Sequence, residues 1–350
     1  MKTQELFKIS GLPIFQNKMY NDRQSAITSP VGDVLLVQDL NTGLIFNAAF
    51  DANLLAYDQD YQNEQAHSVV FQKHLQDIKS ILEKHFLNKS VIEVGCGKGY
   101  FLEYLAEEGY DITGIDPAYE GNNPRVIKAC FEPSLGLSSE NIVLRHVLEH
   151  MSDPYSFLQA IANANGNKGK IYIEVPCLDW ICEHKAWFDI FYEHVNYFRL
   201  NDFHRMFQTV YESGHVFGGQ YLYVVADLAS LREPVCTEAD IFTFPSDFLS
   251  GVETIPAKIA GNKNAIWGGA SKGVIFALYM QRRGLDIDYL IDINPAKQGK
   301  YIGVSGLKVS SPEEAIKQLK KGDDIFVMNS NYLQEIIELS GNQFNYIKVD

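Results

Sequence analysis

The chain has 350 residues, 46% of them hydrophobic and 21% charged, and 30 Lys and Arg against 44 Asp and Glu give a formal charge of −14. This composition fits two or three folded domains with a sizeable core and excludes intrinsic disorder. An acidic chain without a basic stripe is not expected to bind nucleic acid, and its apolar runs, such as 216–226, fall short of the ~20 residues of a membrane span.

Residues 1–72 read as an irregular N-terminal arm. Turns are expected at Gly11-Leu12-Pro13, Ser29-Pro30 and Asn41-Thr42-Gly43, with a short hairpin of 34–38 and 44–47 around the last. A helix over 71–85 leads into alternating elements. Strand 91–94 is followed by helix 100–108, which Gly109 stops. Strands 111–115, 125–129 and 141–144, helix 154–162 and strand 170–175 come next. That order implies parallel strands with helical crossovers, a doubly wound α/β sheet. Segments 216–217 and 222–226 would close it as an antiparallel edge pair. From 230 a second, smaller α/β unit begins, with strands 265–267, 287–291 and 324–328 and a glycine-rich turn of its own. The expected division is 1–72, 73–229 and 230–350. The N-terminus has no apolar signal core and the five cysteines are irregularly spaced, so a reduced, cytoplasmic setting is expected.

The strongest local signal is Glu93-Val94-Gly95-Cys96-Gly97-Lys98-Gly99, between a strand and a helix. Its glycines let the backbone turn tightly and approach a ligand. The third glycine comes two residues after the second, not three as in the dinucleotide fingerprint. That spacing favours the loop of S-adenosylmethionine (SAM) binders. Glu93 is placed to meet the ammonium of the ligand, and Asp116, ending the next strand, to accept both ribose hydroxyls. Cys96 is expected to be a small filler in the turn.

The chain thus resembles the class I SAM-dependent methyltransferases over 71–227. It also resembles the three-part C-methyltransferases of nucleotide-linked deoxysugars. Arg145-His146-Val147-Leu148-Glu149-His150, Tyr192-Glu193-His194 with Asn196-Tyr197-Phe198, Gly268-Gly269-Ala270-Ser271-Lys272-Gly273 and the run 292–301 carry that closer likeness. It implies a Rossmann-like SAM-binding domain, an N-terminal arm or lid and a smaller C-terminal α/β domain. One departure stands out. The family often has an N-terminal zinc module built on Cys pairs, but Asp39 and Thr42 occupy those places and the first cysteine is Cys96. No structural zinc is expected.

Methylation at carbon requires removal of a proton beside a carbonyl and stabilisation of the enolate. The resemblance makes His194 the candidate base, with Tyr192 and Glu193 lining the sugar site. His146 is read as lining the site near the methyl donor, and His150 as either a site or a packing residue. Their i, i+4 spacing would place both on one helical face, but no third metal ligand stands at a telling spacing. Arg145 could equally be a structural ion-pair partner. Tyr57 and Tyr61 precede the core as a lid segment, with Tyr61 the preferred lid or acid residue. The turn at Gly268–Gly273 could present N–H groups to a diphosphate, with Lys272 adding charge, or be a packing turn. The function expected is SAM-dependent C-methylation of a nucleotide-linked keto-deoxysugar. O- or N-methylation of another small metabolite, and a non-catalytic SAM- or nucleotide-sugar-binding protein, are the rivals.

Overall fold

The computed structural model describes residues 2–55, 60–255 and 262–350. A seven-stranded sheet lies at its centre, in the order Val210–Val216, Tyr221–Asp227, Lys170–Pro176, Asn141–Arg145, Ser90–Val94, Asp111–Ile115, Val126–Ile127. The last five strands are parallel, and Tyr221–Asp227 runs antiparallel to both of its neighbours, Val210–Val216 and Lys170–Pro176. Val91, Ile112 and Val143 pack with residues of the helices Val69–His85 and Tyr100–Glu107. Ile92, Leu144 and Ile171 cluster with Leu158 and Ile161 of the helix Pro154–Ala164. Covering both faces is what makes these strands nearly continuous apolar runs. The helices start where their caps dictate. The Ser68 hydroxyl accepts the N–H of Phe71, and Asp153 caps Ser156 just ahead of Pro154 at the first helical position.

From Ser90–Val94 the chain winds outward through Asp111–Ile115 to Val126–Ile127. It then returns to the other side with Asn141–Arg145 and Lys170–Pro176. The winding therefore reverses between Ser90–Val94 and Asn141–Arg145, which opens a crevice at their carboxyl ends. The C-terminal unit repeats this plan. Its five parallel strands run Val309–Ser310, Tyr289–Ile291, Asn264–Trp267, Asp324–Val327, Asn345–Lys348, with the reversal between Asn264–Trp267 and Asp324–Val327.

The N-terminal arm is more regular than expected. The predicted hairpin exists, as Val31–Asp39 with Ile45–Asn47. The strand Thr3–Pro13 also pairs along Val31–Asp39, however, and Asn196–Tyr197 from the central region adds a fourth strand. Thr3–Pro13 is hard to recognise because the pairing slips twice, between Glu5 and Phe7 and between Ile9 and Leu12. Each slip puts the alternation of apolar and polar residues out of phase. The edge pair is longer than expected, and Phe217 lies in the turn rather than a strand.

At the Asn41-Thr42-Gly43 turn, the Asp39 carboxylate accepts the Asn41 N–H and the Thr42 hydroxyl, each at 2.9 Å. The three sheets are not independent bodies. Met19–Tyr20 forms a two-stranded ribbon with Tyr301–Ile302. Trp187 of the central region stacks on Phe276 of the C-terminal unit, with ring centroids 5.6 Å apart. Leu12, Leu144 and Phe276 belong to one contiguous core. Among the described residues no helix is long and apolar enough to cross a membrane.

Candidate active site

The two crevices face a single cavity of about 500 Å³. The central sheet and its loops supply Glu93, Gly97, Asp116 and His146 to its walls, the segment before Asn196–Tyr197 supplies His194, the C-terminal unit Gly268, Ser271 and Asn329, and the N-terminal arm Gln16 and Tyr61.

The first glycine loop begins where Ser90–Val94 ends. Gly95, Gly97 and Gly99 all have positive φ, at 77°, 56° and 85°. Gly95 is required twice over, because a Cβ there would lie 2.2 Å from Val147 Cγ2. At Gly97 a Cβ would meet nothing within 4 Å, so the loop is open towards the cavity. Glu93 is buried, and among the described residues its Oε2 has no hydrogen-bond partner. Burial raises its carboxyl to about 7, opposed by Arg145 and reinforced by Asp116. Asp116 accepts the Gly97 and Ala118 N–H groups, both at 2.8 Å, and burial nevertheless raises its pKa. Cys96 is buried in the turn, and desolvation pushes its thiol upwards, as suits an inert filler.

Beside the loop lies a charged cluster that the sequence reading missed. Its hub is Glu174, fully buried in the strand Lys170–Pro176. His146 Nε2 lies 3.1 Å from Glu174 Oε1, His74 Nε2 3.2 Å and Arg145 Nη2 3.3 Å, while the Tyr172 hydroxyl donates to Oε2 at 2.8 Å. Burial alone would raise the Glu174 carboxyl, but Arg145, His74 and His146 hold it well below the usual range. Burial would likewise lower His146, but Glu149 and Glu174 prevail and raise it to about 9. His146 is therefore an imidazolium at neutral pH. Arg145 takes its structural reading, as the partner of Glu174.

The expected shared helical face of His146 and His150 does not form. His146 has φ +52° and only Leu148–His150 is helical, as a single 3₁₀ turn. The fold does supply further potential ligands that spacing could not reveal. Glu149, His150 and His194 bring ligand-capable atoms within 4.8 Å of one another. All three also have protein partners: Glu149 lies on His146, His150 Nδ1 is 2.9 Å from the Glu193 carbonyl, and His194 meets Gln16.

Tyr192-Glu193-His194 precedes Asn196–Tyr197 as irregular, buried chain. His194 lines the cavity. Burial, and then the neighbouring His150 and His146, push its pKa well below normal. Tyr192 and Glu193, expected to line the sugar site, are not on the cavity wall. The Tyr192 hydroxyl accepts the Asp51 N–H at 2.8 Å, and the ring packs at 5.6 Å from Phe50. Glu193 accepts the Gln16 N–H at 2.6 Å and the Tyr61 hydroxyl at 2.9 Å. Both anchor the segment that carries His194 to the N-terminal arm. Tyr61 lines the cavity, and Tyr57 lies outside the described residues.

The second glycine turn is largely self-satisfied. Gly268 N–H donates to Ile291 O, Gly269 N–H to Asp292 Oδ2, Ser271 N–H to Gln16 O and Gly273 N–H to Ala270 O. Lys272 is 3.0 Å from Asp189 and 2.9 Å from Gln220 Oε1. These partners favour the packing reading over the diphosphate cradle.

Comparison with known proteins agrees with this architecture. Residues 63–210 match the methyltransferase domain family, and residues 241–345 match the C-methyltransferase C-terminal domain. The C-methyltransferase NovU of Streptomyces niveus is 24% identical over 290 residues, covering 71% of this chain and 68% of that protein. A ubiquinone biosynthesis O-methyltransferase of Pectobacterium atrosepticum is 29% identical over 99 residues, covering 24% of this chain and 41% of its own length. Among solved structures, the 1,6-didemethyltoxoflavin N1-methyltransferase of Burkholderia thailandensis is 17% identical. It covers 45% of this chain and 80% of its own, with a TM-score of 0.35. The chain carries a methyltransferase domain and the C-terminal domain of C-methyltransferases, and it is a SAM-dependent methyltransferase.

Proposed function

We propose that the enzyme C-methylates a nucleotide-linked keto-deoxysugar, with the glycine loop holding SAM and His194 acting as the base. The observation that carries this reading is the single cavity that joins the glycine loop, His194 and the C-terminal unit. Glu93 and the open loop at Gly97 fit the methyl donor: a buried carboxylate oxygen without a partner is a ready acceptor for an ammonium. SAM, when bound, supplies an electrophilic methyl group that needs no further activation. Glu93 would hold the amino-acid end and Asp116 the ribose.

His194 is neutral at physiological pH and removes the proton α to the ketone. The strongly depressed imidazole is a weak base, so the enolate needs help. The imidazolium of His146, on the same wall, provides positive charge for the developing oxyanion. Glu193 and Tyr61 fix the segment that carries His194. The C-methyltransferase C-terminal domain and the likeness to NovU support carbon as the acceptor.

The test is incubation with isotope-labelled SAM and a panel of nucleotide keto-sugars, with the methyl located by NMR. A new carbon–carbon bond is expected, and His194→Ala should lose at least ~10²-fold in turnover while still binding SAM by calorimetry. A methyl found on oxygen or nitrogen, or undiminished turnover in His194→Ala, overturns the reading.

A further inference from the structure

Gln16 belongs to no motif, yet it stands where the three parts of the chain meet. Its backbone is pinned at both ends. The N–H donates to Glu193 Oε1 at 2.6 Å, and the carbonyl accepts the Ser271 N–H at 2.8 Å. The next residue repeats the clamp: Asn17 Oδ1 accepts the Ser271 hydroxyl at 2.8 Å, and Asn17 Nδ2 donates to the Tyr61 hydroxyl at 3.2 Å. From this fixed base the Gln16 side chain reaches the cavity wall, with Nε2 at 3.3 Å from His194 Nε2. The amide nitrogen can only donate, so the imidazole accepts there with its lone pair. The other end of the carboxamide, Oε1, is buried and has no partner among the described residues. A buried acceptor left in that state is unfavourable, and a hydroxyl donor arriving in the cavity satisfies it.

We propose that Gln16 is a substrate-positioning residue whose carboxamide oxygen accepts a hydroxyl of the substrate while its nitrogen orients His194. Substrate recognition and alignment of the base then run through one planar group. Before substrate binds, the carboxamide nitrogen holds the His194 ring in place; a hydroxyl seated on the oxygen draws the carboxamide off the lone pair and leaves the aligned imidazole free to take the proton. The substrate class this selects bears a free hydroxyl close to the carbon that is deprotonated; an analogue lacking it leaves the carboxamide oxygen unsatisfied. The substrate half of the proposal rests on the reading of His194 as the base, whereas the contact between Gln16 and His194 does not.

Two measurements test the two halves separately. In the substrate-free protein, the titration of His194 is followed by NMR in wild type, Gln16→Leu and Gln16→Glu. Removing the donor should raise the midpoint, and a carboxylate should raise it further, by at least about one unit above wild type. An unmoved midpoint in Gln16→Glu overturns the contact, whatever the reaction proves to be. In turnover, Gln16→Leu should raise KM about tenfold for the hydroxylated substrate, the worth of one hydrogen bond, and leave KM unchanged for the analogue lacking that hydroxyl. Equal losses for both substrates would make Gln16 merely structural and overturn the substrate half. Wild-type protein that fails to methylate any nucleotide sugar would count against the reaction assigned above, with the NMR result still deciding the contact.

Discussion

Glu93→Gln should stabilise the substrate-free protein and weaken its hold on SAM. Glu93 is buried beneath the glycine loop, with one oxygen unpartnered, and its carboxyl titrates at about 7 against an ordinary 4.5. At 1.36 kcal/mol per unit, keeping it ionised in the empty pocket costs about 3 kcal/mol. The direction follows from proton counting. Between 4.5 and about 7 the folded chain holds a proton that the unfolded chain has released, so wild-type stability falls as pH rises through that window. Above 7 the full cost remains. Glutamine mimics the protonated acid and never ionises. Urea denaturation at about pH 4 should therefore find the two proteins nearly equal. At about pH 8 Glu93→Gln should be the more stable by about 3 kcal/mol. Calorimetry should show the reverse for SAM. Wild-type affinity should rise with pH through 7 as the carboxylate forms, whereas the variant binds weakly and with no such dependence. A stability difference that stays flat from about pH 4 to about pH 8 would refute the argument.

Glu174→Gln should destabilise the protein by about 3–5 kcal/mol by denaturation, because it leaves the buried Arg145 without its counter-charge. The same variant should drop the His146 titration from about 9, readable by NMR, and so discharge the imidazolium near neutral pH. In Gly273→Ala the new methyl would lie 1.8 Å from the Gly268 carbonyl oxygen, which is backbone and cannot swing aside. We expect a loss of at least about 2 kcal/mol in thermal or chemical unfolding, with weakened contact between Ser271 and Gln16.

The central sheet was legible because its parallel strands are bounded apolar runs separated by amphipathic helices, and the strand Asp111–Ile115 falls on its expected residues. The glycine loop was legible for a similar reason, since positive φ at Gly95, Gly97 and Gly99 demands a residue type that the sequence displays. Thr3–Pro13 was hidden by its slipped register. Within the site, the readable residues were those in local motifs. Glu193 illustrates the limit: its place in the motif was visible, but not that it faces Gln16 and Tyr61 rather than the cavity. Gln16 carries no local signal, and its role comes only from long-range contact. Glu174 did carry one. A lone acid in the otherwise apolar segment Ile171-Tyr172-Ile173-Glu174-Val175 cannot be buried without cationic partners, and those partners were the histidines and the arginine nearby.

The ribbon of Met19–Tyr20 with Tyr301–Ile302 bears on how such enzymes can be recombined. A C-terminal unit transplanted alone from a relative would arrive without the strand that Tyr301 and Ile302 pair with, and without the Gln16 and Asn17 that clamp Ser271. The module that can be exchanged is discontinuous, made of both ends of the polypeptide wrapped around the middle. Chimeras intended to alter substrate choice should therefore swap the two termini together.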